Sequence, residues 1–256
     1  MKFSAIASTL LLVGSSLAAP GTAIRRSRAQ GRRSNLVQWV EAPADLKTNK
    51  FNPQYSSNWA GAVLIGTGYT SVTGTFTVPS PTSAGSGSAW VGIDGDTCET
   101  AILQTGIDWT RTSSGEITYD AWYEWYPDYA YDFTDITLAA GDTVTVTVTA
   151  TSETGGTATV ENVTTGQSVS HSFRNEGSVG SLCKYDAEWI VEDFSSDGSL
   201  VEFANFGTVE FTEARAIQDG RAVGVTGATL IDIKSGDDVL TDCTLSGSTG
   251  VTCRYV

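Results

Sequence analysis

The 256-residue chain carries 29 acidic residues against 15 basic ones and a single histidine, for a formal charge of −14 at neutral pH. An acidic body of this kind excludes a nucleic-acid surface, and four cysteines without a C-x-x-C pair, beside one histidine, exclude the common zinc sites. No stretch is long and apolar enough to cross a bilayer.

The first residues read as a secretory signal. Lys2 supplies the positive start, Ala5 to Val13 the apolar core, and the small residues up to Ala18 and Ala19 a cleavage site. Residues 1–19 are therefore expected to be removed, and the mature protein to be secreted and extracellular. A basic stretch follows, with Arg25, Arg26, Arg28, Arg32 and Arg33 and then Lys47 and Lys50, opposed by Glu41 and Asp45. Seven basic less two acidic residues give residues 20–52 a charge of +5, while seven less 27 give residues 53–256 a charge of −20. Between a signal and an acidic domain, such a segment reads as a propeptide that docks on the body and inhibits it. A surface so acidic repels itself at neutral pH and relaxes as carboxylates protonate, which fits a protein working in acid.

Residues 53–256 are enough for one domain with a sizeable core. The pattern predicts short strands throughout. Runs fall at 59–65, 71–78, 88–94, 101–107 and 117–125. Further runs fall at 157–162, 167–173, 187–194, 200–204, 207–212, 228–233 and 251–255. Thr143 to Thr149 alternates strictly, as a half-buried strand does. Gly, Ser, Asp and Asn clusters separate the runs, and 79–88 reads as an exposed loop. No long segment carries a helical period, so the expected fold is all-β, a sandwich or barrel. Cys98, Cys183, Cys243 and Cys253 imply two disulfides in a secreted chain. The turn between Cys243 and Cys253 pairs those two as a hairpin. Asn162 opens an N-glycosylation sequon.

The chemistry narrows by elimination. Serine or cysteine catalysis through an imidazole would have to use His171, which lies in an ordinary alternating strand and would be protonated in acid. There is no Asp-Thr-Gly or Asp-Ser-Gly for a paired-aspartate site. Carboxylates, amides and aromatics remain. With a strand period of two, Trp90 and Asp94 share a face, as do Asp120, Trp122 and Glu124. Gln104 lies with Ile102, and Glu192 with Glu188, Ile190 and Phe194. Tryptophans interleaved with carboxyls suit a groove for an extended polymer, and equally a solvated face with aromatic cross-strand pairs. A glycosidase using Glu124 and Glu192 and a lectin-like module remain alternatives, although the first has no role for Gln104 and the second no need of a silencing prosegment. Asp96, Glu99 and Asp108 form no calcium-loop motif.

Four segments decide between these readings: SSNWAGAV at 56–63, SAWVGIDGDTCETAILQTG at 88–106, YDAWYEWYPDYAYDF at 119–133 and AEWIVEDF at 187–194. Together they resemble the fungal glutamic peptidases, the eqolisins, over essentially the whole chain. The resemblance implies a concanavalin A-like sandwich of two antiparallel, roughly seven-stranded sheets, and a pepstatin-insensitive acid endopeptidase acting on proteins and peptides without a cofactor or metal. It implies Gln104 and Glu192 as the catalytic pair, Trp90, Asp94, Asp120, Trp122 and Glu124 as groove residues, and a Cys98–Cys183 disulfide. Members with a longer segment before SAWVGID are cut into two chains. Only the short 79–88 loop stands here, so a single-chain monomer is expected.

Overall fold

The computed structural model describes residues 32–43 and 53–256. The signal, Arg25, Arg26, Arg28, Lys47 and Lys50 lie outside the described residues. Two large sheets face each other. One runs in the order Gln167–Arg174, Gly155–Asn162, Thr143–Ser152, Tyr69–Thr77, Thr208–Gln218, Gly250–Tyr255 and Thr241–Ser246. The other runs Gln54–Ser56, Thr229–Ser235, Trp59–Ile65, Asp186–Glu192, Gly85–Ile93, Ile102–Arg111 and Ile117–Tyr126. Short additions bring the totals to eight and ten strands. Pairing is antiparallel except between Gln54–Ser56 and Thr229–Ser235.

Alternation builds the sandwich. In Thr143–Ser152 the even positions Val144, Val146 and Val148 are buried, and the odd threonines face out. Their hydroxyls pair across strands, Thr73 with Thr147 at 2.7 Å and Thr75 with Thr145 at 2.8 Å. The opposite sheet sends Trp109, Trp125 and Trp189 into the same core, all buried, and Trp189 Nε1 donates to the carbonyl of Thr73 at 2.8 Å, tying the sheets together. This leaves the other face of the second sheet free to form a groove.

Some boundaries differ from the sequence reading. The 79–88 segment is not all loop, because Gly85–Ile93 already includes its last four residues and buries Ser88. The 200–204 run forms no continuous strand: Leu200 ends the short Ser199–Leu200 strand, and Phe203 makes an isolated bridge to Ser86. The strand Thr241–Ser246 is absent from the predicted runs; it forms as the hairpin partner of Gly250–Tyr255. Both disulfides are as expected, Cys98–Cys183 and Cys243–Cys253. Asn162 is placed against its expected use. It is fully buried, and its amide nitrogen donates to the carbonyl of Thr137 at 2.9 Å and to Asp142 Oδ2 at 2.8 Å. A glycan would replace one of that nitrogen's two hydrogens, and so one of these bonds, at a side chain with no exposed surface.

Candidate active site

The register of the second sheet lines up the groove residues in rows. One row reads Val63, Glu188, Gly92, Gln104 and Glu124. The next on the same face reads Gly61, Ile190, Trp90, Gly106 and Trp122, and the third Trp59, Glu192, Ser88, Asp108 and Asp120. Gln104, Trp90, Trp122, Glu124, Asp120 and Glu192 thus come to one face from four neighbouring strands. Two glycines let the central indole lie flat along its strand. A Cβ on Gly92 would stand 2.7 Å from Trp90 Cζ3, and one on Gly106 would collide with the Trp90 Cβ and the carbonyl of Ala89. Trp59 meets Trp90 edge-on at 4.9 Å between ring centres.

Glu192 is fully buried, and Trp90 Nε1 donates to its Oε2 at 2.9 Å. Burial raises its pKa, while the Arg32 guanidinium and hydrogen bonds from Asn35, Ser34 and Trp90 pull it back. Burial likewise pushes Glu124 up to about 8 and Asp108 up to about 7, against the pull of Arg32. Gln104 is fully buried, with neither end of its carboxamide bonded to protein.

Asp94 stands apart from this face. It follows the strand end with a left-handed φ of 72°, and its carboxylate accepts the N–H groups of Cys183, Lys184, Tyr185 and Asp186 at 2.7–3.3 Å. Asp186 answers it by accepting from the backbone of Asp96, Thr97 and Cys98. These two aspartates and the Cys98–Cys183 disulfide knit the loops at one end of the groove. Asp94 therefore supports the groove from its end rather than lining the Trp90 face.

Residues 32–40 lie along the groove. Arg32 and Arg33 pair antiparallel with Ser196 and Ser195. The Arg32 side chain, 4% exposed, forms an ion pair with Asp108, lies 3.8 Å from Glu124 Oε2 and donates to Ser88 Oγ at 3.2 Å. Its guanidinium stacks 3.9 Å from the centre of the Trp122 ring and 4.8 Å from that of Phe194. The Ser34 N–H points to Glu124 Oε2 at 3.4 Å, and the Asn35 N–H donates to Glu192 Oε1 at 3.0 Å. Asn58 then clasps the segment, accepting from the Gln38 N–H and donating to the carbonyl of Leu36. Asp108, Ser88, Phe194 and Asn58 thus belong to the groove. The sequence reading counted Phe194 onto the Glu192 face and weighed Asp108 only as a calcium ligand. Period-two counting from Gln104 reaches Asp108, and from Trp90 reaches Ser88. Asn58 precedes its strand, where periodicity says nothing.

A groove with a buried carboxylate, a buried carboxamide on the same face and a peptide segment bonded to the carboxylate is the arrangement a carboxyl-type peptidase on a β-sandwich would use. Comparison with known proteins agrees. Residues 57–255 match the family model described as the Peptidase A4 family. The chain is 52% identical to Aspergillopepsin-2 of Aspergillus niger and 46% identical to Scytalidopepsin B of Scytalidium lignicola, covering 100% of both chains in each case. Among solved structures it is similar to scytalido-glutamic peptidase bound to a transition-state analogue inhibitor, with a TM-score of 0.71 and 50% identity over 78% of this chain and 98% of that one. The chain belongs to the Peptidase A4 family, the glutamic peptidases, and is a peptidase.

Proposed function

We propose that the chain is a secreted, pepstatin-insensitive acid endopeptidase in which Glu192 is the general base and Gln104 the oxyanion donor. The observation that carries this reading is Glu192 itself. It is a fully buried carboxylate gripped by Trp90, on the face that also bears Gln104, with a peptide N–H aimed at its free oxygen. In the reaction, ionised Glu192 takes a proton from water as the water oxygen bonds to the scissile carbonyl carbon. The carbonyl oxygen gains the negative charge and accepts from the Gln104 amide, a donor that does not titrate. The C–N bond then breaks, and Glu192 returns the proton to the departing nitrogen. Trp122 and Glu124 line the groove beside this pair, and Asp120 lies at its rim. The chemistry calls for no cofactor, and the chain acts as a monomer.

Residues 20–52 are the inhibitory propeptide in this reading. The backbone of Asn35 occupies the Glu192 oxygen a water would need, and Arg32 holds the segment down. Arg32 favours the ionised forms of Asp108, Glu124 and Glu192, so docking is strongest when those acids are charged and weakens as they gain protons. With the segment in place Glu124 titrates at about 8 and Asp108 at about 7, so the attraction fades as pH falls through those two values and is gone in acid. That window lies above the value of about 4 of an ordinary carboxylate, because burial dominates.

The test is hydrolysis of a denatured protein at roughly pH 3, within reach of a glutamate's titration, with and without pepstatin. Gln104→Ala and Glu192→Gln should each abolish cleavage in a protein that stays folded, while pepstatin leaves the parent untouched. A Glu192→Gln protein with parental activity would remove Glu192 from the role of base.

A further inference from the structure

Glu188 has no part in the mechanism above, yet it lies in the same groove face as Glu192, two alternations along one strand. It is fully buried, and neither carboxyl oxygen has a hydrogen-bond partner. Its neighbour in register is Gly92, and the next residue across is Gln104. Gly92 puts no side chain between them, and the Trp90 ring edge shares the space above it. A Cβ there would stand 3.0 Å from Glu188 Oε2, so the carboxyl leans over bare backbone toward the glutamine. Both polar atoms of the Gln104 carboxamide and Oε1 of Glu124, at the end of the row, are also buried without partners. A buried polar atom left without a partner is destabilising. As placed none of them bonds another, so the row is tolerable when its side chains turn to one another or hold a water between them.

The direction of that bonding matters for catalysis. A carboxamide has a donor end and an acceptor end, and its neighbours decide which way it turns. A carboxyl group with its proton can donate to Gln104 Oε1, which leaves the Nε2 hydrogens for the substrate. An ionised carboxylate can only accept, and would draw Nε2 toward itself. The acids around Glu188 hold its proton in place. Burial is the main cause, and Asp186 on its own strand and Asp94 and Asp96 of the adjoining loop add to it. Tyr69 approaches from the other sheet, its own pKa raised by burial and by Asp186 and Glu188. Val63 on the neighbouring strand brings no charge, and Glu124 faces Gln104 from beyond.

We propose that Glu188 is a positioning residue for Gln104: acting across Gly92 as a hydrogen-bond donor, it holds the carboxamide oxygen and leaves the amide N–H groups turned to the substrate. The proposal rests on Gln104 being the oxyanion donor. It makes the loss of activity at rising pH the loss of the Glu188 proton, a limb the base Glu192 cannot produce because a base gains activity as it ionises.

The experiment measures kcat and KM against pH on enzyme obtained by acid incubation of the full chain. Glu188→Gln, Glu188→Leu and Asp96→Asn are compared with the parent, and Gln104→Ala serves as reference. Loss of an oxyanion donor costs about 10²–10³ in kcat. A misdirected donor in Glu188→Leu should therefore cost ~10–100-fold in kcat, with KM within about threefold. Glu188→Gln donates at every pH, so it should keep parental kcat in acid and move the alkaline limb upward. Asp96→Asn, which removes the neighbouring acid that titrates near 6, should leave a limb at least as sharp as the parent's. An unmoved limb in Glu188→Gln overturns the proposal, as does a limb abolished by Asp96→Asn. Parental kcat in Glu188→Leu, or a loss carried by KM, overturns it too. If Glu188→Leu does not fold, the isosteric Glu188→Gln profile decides alone. Activity retained in Gln104→Ala would instead sink the oxyanion assignment, whatever Glu188 does.

Discussion

Replacing Arg32 with glutamine in the full-length chain should unlatch the enzyme. Arg32 is buried, ion-paired to Asp108, bonded to Ser88 and stacked on Trp122. Removing one partner of a buried ion pair costs about 3–5 kcal/mol, and a desolvated cation–π contact contributes roughly 2 kcal/mol to such a total. Asp108 and Glu124 soften the loss, because burial already favours their protonated forms and they can take up protons when the guanidinium goes. Taking the low end, about 3 kcal/mol, the docked state weakens by roughly two orders of magnitude at 1.36 kcal/mol per decade. The assay is hydrolysis of a quenched peptide by the unprocessed chain near pH 7, where part of the Asp108 charge still holds Arg32 in the parent. Arg32→Gln should show activity at once. Arg33→Gln is the control, since Arg33 meets only the exposed Tyr129 ring at 4.8 Å and an exposed contact of that kind contributes about 0.5–1 kcal/mol. Latency equal to the parent's in Arg32→Gln, or equal release by Arg33→Gln, would refute the reasoning.

The Cys98–Cys183 bond closes a loop of 85 residues, so Cys98→Ser with Cys183→Ser should lower unfolding stability by about 4 kcal/mol in denaturant titration. An unchanged midpoint would show that the Asp94 and Asp186 backbone clasps suffice. Asp232 accepts from Thr241 and the Cys243 N–H under the second disulfide, and burial nonetheless raises its pKa to about 7. A carboxyl with a raised folded-state pKa contributes stability that is complete below about 4 and lost as pH rises through about 7. Asp232→Asn should therefore reduce the fall in melting temperature between acid and neutral pH. For Asn162, the intact mass of the secreted protein should carry no glycan on that residue. Asn162→Gln should melt lower because two buried hydrogen bonds are lost, at about 1 kcal/mol each.

Much of the groove was legible because strands repeat every two residues. Gln104, Trp122, Glu124 and Glu192 fall on their faces by counting, and the long motifs around them assign the family. Counting failed where a strand ends. Asp94 follows Ile93 in parity with Trp90, but a left-handed turn swings its carboxylate onto the backbone of residues 183–186. The Asn162 sequon reads as a surface tripeptide, yet a neighbouring turn offers Asp142 and Thr137 to its amide and the residue goes inside.

By itself the sequence determined the fold class, the strand faces and the charge opposition between a basic leader and an acidic body, because these depend on composition and on local period. Tertiary structure alone decided which arginine meets which acid. It also decided that Glu188, Gly92, Gln104 and Glu124 form one row. Those relations depend on strand order and register, which join residues far apart in the chain, 157 positions in the Asn35 bond to Glu192. Register is set by the packing of the whole sandwich, and no local stretch of sequence carries it.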